Sequence, residues 1–233
     1  MNPSTDSVLP LWGVPNSDAE ADPKAAETDR HTPDEGLASL GEYLHLAHRL
    51  FVSSGVSKTV LFCGAEPGAG CSWVCARTAI ALARLTPLAV CVVDANLRSP
   101  TLHEAFGVEP SLGLTDYVAM HDDLGAFVRN LGRGRPSVLP CGSRGVEVHS
   151  VFYSPAFRRK IERLKAAYSY VLVDGGPGSL NPGASQFAGV ADGAVLVLGS
   201  SSARREEAMR AKQALEVANI PVLGGVLNKC SGR

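Results

Sequence analysis

Cys63-Gly64-Ala65-Glu66-Pro67-Gly68-Ala69-Gly70-Cys71-Ser72 decides how this chain is read, because it joins the apolar run Thr59–Cys63 to a helical stretch from Ser72 to Leu85. A β-type run that passes through glycines into a helix gathers backbone N–H groups at the helix N-terminus. Their partial positive charge suits an anion. Working outward, four more apolar runs follow at Ala89–Val93, Tyr170–Val173, Ala194–Leu198 and Pro221–Leu227. Helical periodicity marks Arg158–Ala167 and Arg204–Ala218, and Leu40, Leu44, Ala47, Leu50 and Phe51 recur at helical spacing ahead of the first strand. Continuous apolar strands alternating with helices predict an α/β protein, doubly wound, with a mostly parallel sheet covered by helices on both faces.

In such a sheet the C-terminal strand ends share one edge, where ligands bind. Two runs reach that edge with a carboxylate, Val92-Val93-Asp94-Ala95-Asn96-Leu97-Arg98 and Val171-Leu172-Val173-Asp174-Gly175-Gly176-Pro177. Asp94 and Asp174 are therefore expected to converge on the loop at 65–72, as carboxylates do around a Mg²⁺-nucleotide. Against the phosphate-loop pattern G-x-x-x-x-G-K-[ST], Ala65 takes the first position and Ser72 the position of the Mg²⁺-binding hydroxyl. The lysine is absent, and Cys71 stands in its place. A lysine on β- and γ-phosphates contributes charge-assisted bonds of roughly 1.5–3 kcal/mol each and neutralises charge during transfer. A neutral thiol supplies neither.

Composition narrows the function classes. With 233 residues, 45% hydrophobic and a net charge of −1, the chain can bury a substantial core and lacks the basic footprint of a nucleic-acid coat. An aromatic share of 6% argues against stacking platforms for single strands. Six cysteines without a C-x-x-C pair indicate a reducing, cytoplasmic compartment. The N-terminus lacks a signal-peptide pattern, and the most apolar stretch, Thr78–Val93, is interrupted by Arg84 and Pro87, short of the roughly 20 residues of a spanning helix. Residues 1–36 carry eight acidic against two basic side chains and five prolines, which predicts a disordered tail ahead of one domain at 37–233. One apolar island, Val8-Leu9-Pro10-Leu11-Trp12, interrupts the tail and reads either as a stray patch or as a short docking motif.

At these residues the sequence resembles the bacterial tyrosine kinase (BY-kinase) family, within the MinD/ParA-like P-loop ATPases. Pro67–Ser72 stands where that family has P-G-E-G-K-S, Asp94–Gly107 where it has D-A-D-L-R-x-P-x-L-H-x-x-F-G, and Asp174–Pro177 where it has D-T-P-P. Gly113-Leu114-Thr115-Asp116, Ala191-Asp192-Gly193 and Val226-Leu227-Asn228-Lys229 resemble further family segments, so the likeness runs from about Glu42 to Lys229. The resemblance implies binding of ATP or ADP with Mg²⁺. Gly68, Ala69, Gly70, Cys71 and Ser72 would line the phosphates, Asn228 would lie near adenine, and Ser72, Asp94 and Asp174 would hold the metal, the two carboxylates being catalytic if the protein is active. It also implies a role in exopolysaccharide or capsule biosynthesis. The partner would be the cytoplasmic part of a membrane-embedded chain-length regulator, at the inner face of the membrane, with self-assembly into homo-oligomers.

The departures gather where the family does its chemistry. Besides Cys71, Asn96 replaces the second Asp of D-A-D, Gly175-Gly176 replaces Thr-Pro, and His45 and His48 replace the arginines of the N-terminal E-x-x-R-x-x-R segment. The five tyrosines are dispersed, with no counterpart of the family's tyrosine cluster. This pattern reads as a pseudoenzyme. The other readings are an active tyrosine kinase or ATPase and a MinD/ParA-like positioning ATPase. Cys71, at a helix N-terminus, is expected to have a lowered pKa and a reactive thiol, against the plainer reading of an inert small residue. His45 and His48 read as solvated or interface histidines rather than metal ligands, and Arg158-Arg159-Lys160 and Arg204-Arg205 as solvated faces, with a DNA- or lipid-binding surface as the alternative.

Overall fold

The computed structural model describes residues 33–53, 57–120, 123–143, 148–177, 184–200 and 205–228. The acidic tail up to residue 32, with its island at Val8–Trp12, lies outside the described residues, as do Arg204, Lys229 and Cys230. Among the described residues seven strands form one sheet: β1 (Thr59–Gly64), β2 (Val90–Asp94), β3 (Arg129–Asn130), β4 (Ser137–Leu139), β5 (Tyr170–Pro177), β6 (Gly193–Gly199) and β7 (Val222–Asn228). Their order is β3-β4-β2-β5-β1-β6-β7, parallel except for the two-residue edge strand β3. The expected doubly wound sheet is thus present. β1, carrying the glycine loop, sits in the middle between β5 and β6, and β5 lies between β1 and β2.

Among the described residues seven α-helices accompany the sheet: α1 (Pro33–Ala47), α2 (Cys71–Leu85), α3 (Leu102–Phe106), α4 (Leu114–Ala119), α5 (Val148–Phe152), α6 (Pro155–Ala167) and α7 (Arg205–Val217). A π-helical turn at His48–Ser53 extends α1 and buries Leu50 and Phe51. Because central strands are buried on both sides, alternate residues feed two cores. Leu61, Val93, Val171 and Val173 face Ile161 and Leu164 of α6 and Leu215 of α7, while Val60, Phe62, Val92 and Leu172 face Val74, Ala79 and Leu82 of α2. Phe152, Phe157 and Phe187 pack edge to face with centroids 5.4–6.2 Å apart. α6 starts where sequence chemistry favours it, with Ser154 accepting from Ala156 N and Pro155 in the first turn.

Two polar fasteners set loop positions. Asp192 accepts from the N–H groups of Lys58 and Thr59 at 2.7 and 2.8 Å, pinning the start of β1 to that of β6. At the ligand edge, Asp116 accepts from Gly113 N and Ser143 N, both at 2.9 Å, and from Ser143 Oγ at 2.6 Å. Burial works against its charge, but these bonds prevail and hold the carboxyl below its usual range. Gly113 is required here, since a Cβ would lie 2.1 Å from Pro140 O.

One surface expectation is corrected. Lys160 is buried, donates to Met120 O at 2.8 Å and lies 4.3 Å from the Tyr117 ring centroid, so its stem and charge belong to the α4–α6 contact rather than to a solvated face. Arg158 and Arg159 are exposed.

Candidate phosphate-loop site

The loop after β1 is anchored on three sides. Ala65 N donates to Val197 O at 2.8 Å, Glu66 Oε1 accepts from Gly199 N at 2.8 Å, and Asn228 Nδ2 donates to Ala69 O at 2.9 Å. Asn228, at the end of β7, thereby reaches over β6 to the loop. Gly68 and Gly70 take φ values of 80° and 84°, the left-handed region that glycine occupies without strain, and a Cβ on Gly68 would meet nothing within 4 Å. Gly70 precedes the 15-residue helix α2, whose N-terminus has no side-chain cap and no acidic residue in its first turn. An uncapped helix start leaves N–H donors turned toward the loop.

Asp94 and Asp174 are direct neighbours in register across β2 and β5, and both are fully buried. Asp94 spends both oxygens on its own loop, Oδ1 accepting from Asn96 N at 3.2 Å and Oδ2 from Leu102 N at 3.1 Å. Asp174 Oδ1 accepts from Gly176 N at 3.1 Å, whereas its buried Oδ2 has no well-aligned hydrogen-bond partner. Burial, and then the charge of Asp174, push the Asp94 carboxyl up to about 8 against the opposing amides of Leu102, Asn96 and Thr101. Burial also raises Asp174, opposed by the Ser72 hydroxyl, the Gly176 amide and the Cys71 thiol. Among the described residues no lysine or arginine figures among the charges acting on either carboxylate.

The structure therefore brings the loop, Ser72, Asp94, Asp174 and Asn228 together along one edge, as the strand ends foretold. It corrects the expectation for Cys71. That thiol is buried, and burial followed by the neighbouring Asp174 carboxylate raises its pKa well above the ordinary value. The helix N-terminus is outweighed. At pH 7 iodoacetamide is expected to label Cys71 at less than one-tenth of its rate in the urea-unfolded protein; equal rates by mass mapping would refute the burial argument.

Sequence reasoning missed how the departures fit one another. Gly176 has φ 65°, and a Cβ there would lie 2.6 Å from Asn96 Cγ. The Asn96 amide, donating to Ser99 O at 2.7 Å, packs where a side chain at 176 would stand. Glu66 was also missed as an anchor, since its partner Gly199 is 133 residues away.

The donor set fits an anion flanked by a divalent cation. The uncapped helix start and open glycine loop offer amides, and the orphaned Asp174 Oδ2 beside Ser72 offers a hard oxygen ligand. No family model matches the chain. Among curated proteins it is 31% identical over 171 residues to the tyrosine-protein kinase YwqD of Bacillus subtilis, spanning 73% of this chain and 72% of that one. It is 26% identical over 192 residues to the tyrosine-protein kinase CpsD of Streptococcus agalactiae, covering 82% of each. Among solved structures, the chimerical protein CapA2B2 superposes with a TM-score of 0.76 at 22% identity, over 82% of this chain and 85% of that one. MinD of Pyrococcus horikoshii, complexed with Mg-ADP, gives 0.59 at 23% identity over 72% and 68%. These likenesses carry the P-loop ATPase fold, and the similarity to YwqD across nearly three quarters of both chains carries the kinship: the chain belongs to the bacterial tyrosine-protein kinase family.

Proposed function

We propose that this protein is a nucleotide-binding member of its family with severely weakened phosphoryl transfer, serving as a regulatory subunit in exopolysaccharide or capsule synthesis. The observation that carries the reading is Cys71, an uncharged buried thiol where the loop's cation belongs, beside two carboxylates that no cation offsets among the described residues. Backbone N–H groups of Gly68 to Ser72 would hold the phosphates of ADP or ATP, with Asn228 on the adenine side. Mg²⁺ would sit between the Ser72 hydroxyl and Asp174, and when bound it neutralises phosphate charge. Asp94 contributes from a distance, holding residues 96–102 through the two amides it accepts.

Pre-aimed amides keep the ground state bound, but loss of one charge-stabilising group slows transfer on the order of 10²–10³-fold. The family resemblance supports the pathway and the partner, the cytoplasmic part of a membrane-embedded chain-length regulator, with copies of this chain assembling beside it. No helix among the described residues is long and apolar enough to cross a membrane.

Calorimetry with ADP and Mg²⁺, paired with phosphate release from ATP, tests this. Binding is expected, with turnover at least 10²-fold below that of YwqD measured alongside. Turnover equal to YwqD and abolished by Asp174→Asn would instead establish the active enzyme.

A further inference from the structure

The parallel strands all start on the side of the sheet opposite the glycine loop, about 20 Å from it along a six-residue strand. Three connections on that side stand together. Pairing of Cys91 with Ser137 sets the 131–136 turn beside the 86–89 connection. Ala89 O accepts from Ser169 N and Tyr170 N at 2.9 and 3.1 Å, and the Tyr170 ring meets that of Phe51 with centroids 5.6 Å apart, which brings in the π-helical turn. β4, β2, β5 and β1 are successive neighbours, so the three connections span about 14 Å. One flat surface can touch them all.

Their sequences carry a single sign of charge. Residues 48–58, 84–89 and 131–136 hold Arg49, Lys58, Arg84, Arg133 and Arg135, and no Asp or Glu. Asp192, which leads into β6, is occupied by the amides of Lys58 and Thr59. Glu162 and Glu216, near the ends of α6 and α7, pair with Lys165 and Lys212. Among the described residues no carboxylate pairs with Arg84, Arg133 or Arg135. Apolar side chains stand in the open between these cations: Val52, Leu85 and Leu88 are 43%, 41% and 50% exposed. Local bonds hold the loops that present them. Thr86 Oγ1 accepts from Leu88 N at 3.1 Å, and Asn130 Oδ1 accepts from Gly132 N at 3.0 Å. Gly132 and Gly134 turn through φ values of 92° and 71° on either side of the exposed Arg133.

Unpaired arginines call for an anionic partner, and the leucines among them decide which kind. A nucleic-acid backbone offers an exposed leucine nothing. The headgroup boundary of a bilayer accepts apolar tips of any shape while the guanidinium groups stay with the lipid phosphates. We propose that Arg84, Leu85, Leu88, Arg133 and Arg135 form a docking surface for an acidic phospholipid bilayer, with the glycine loop turned away from it. Co-flotation of the full chain with vesicles at about 0.1 M salt tests this. The wild type is expected to float with vesicles containing one third phosphatidylglycerol and to stay behind with pure phosphatidylcholine. Each cation contributes about fivefold at an anionic surface, so Arg84→Gln/Arg133→Gln/Arg135→Gln is expected to lower the partition about 100-fold. Arg159→Gln/Arg205→Gln/Arg210→Gln, which removes three exposed arginines elsewhere, is expected to lower it far less. Leu85→Ser/Leu88→Ser is expected to cost about tenfold or more with every charge kept. Far-UV circular dichroism and ADP affinity serve as folding checks, since these residues lie at the far end from the loop. A wild type that does not float, or equal losses in the two arginine variants, would overturn the proposal. Partition untouched by the two serines would overturn it in favour of an acidic protein surface. Tighter binding to duplex DNA than to the acidic vesicles at the same salt would overturn it in favour of nucleic acid.

Discussion

Cys71→Lys is expected to tighten ADP binding by one to two orders of magnitude. The loop already holds its shape without the lysine, through the bonds from Ala65, Glu66 and Asn228 to their distant partners. The substitution therefore adds a cation to a finished cradle rather than building one. One or two charge-assisted bonds to phosphate contribute roughly 1.5–3 kcal/mol each, and each 1.4 kcal/mol is tenfold in affinity. The new ammonium also meets Asp174, whose carboxylate now stands beside a thiol. Part of its charge is spent there, which sets the lower end of the range. Titration calorimetry with ADP and Mg²⁺ on the two proteins reads the difference directly. An unchanged affinity would mean that position 71 does not face the phosphates.

Stability is expected to fall as pH rises from about 4 to about 8, the reverse of an ordinary salt-bridged carboxylate. Asp94 has its folded pKa raised to about 8, from the ordinary 3.8 that applies when unfolded. Between those values the folded protein keeps a proton that the unfolded chain has released, so each step up in pH favours unfolding. The stabilisation is fully present below the unfolded pKa and is lost as pH climbs through the folded one. The slope approaches about 1.4 kcal/mol per pH unit for one proton. For a domain of this size that is about 3–6 °C in Tm per unit. Asp94→Asn is expected to make the profile shallower between pH 5 and pH 8, whatever it does to absolute Tm, because an amide has no proton to keep; the slope that remains belongs to Asp174, which burial also raises. A wild-type Tm that rises across this interval would refute the raised pKa of the buried Asp94 carboxyl.

Both expectations come from residues whose positions were legible in the sequence but whose surroundings were not. Strand ends at Asp94 and Asp174 and the glycine loop could be read because long apolar runs and a small-residue turn leave clear signatures. The strands β3 and β4, of two and three residues, and the helices α3, α4 and α5, of five or six, are too short to show a period. Cys71 shows the other limit. Its helix N-terminus is a local feature and argues for an acidic thiol, whereas the shift is reversed first by burial under the folded sheet and then by the Asp174 carboxylate, which arrives from β5, about a hundred residues on. The accommodation of Asn96 by Gly176 was hidden for the same reason, since each looks like an isolated loss until the fold puts them in contact.

The hydrogen bond from Asn228 to Ala69 joins the rim of the sheet to its centre by one side chain. Whatever grips the last strand therefore has mechanical leverage on the glycine loop without crossing the hydrophobic interior. A change at that rim, far along the sheet from Asp94, would be transmitted to the loop through this one side chain.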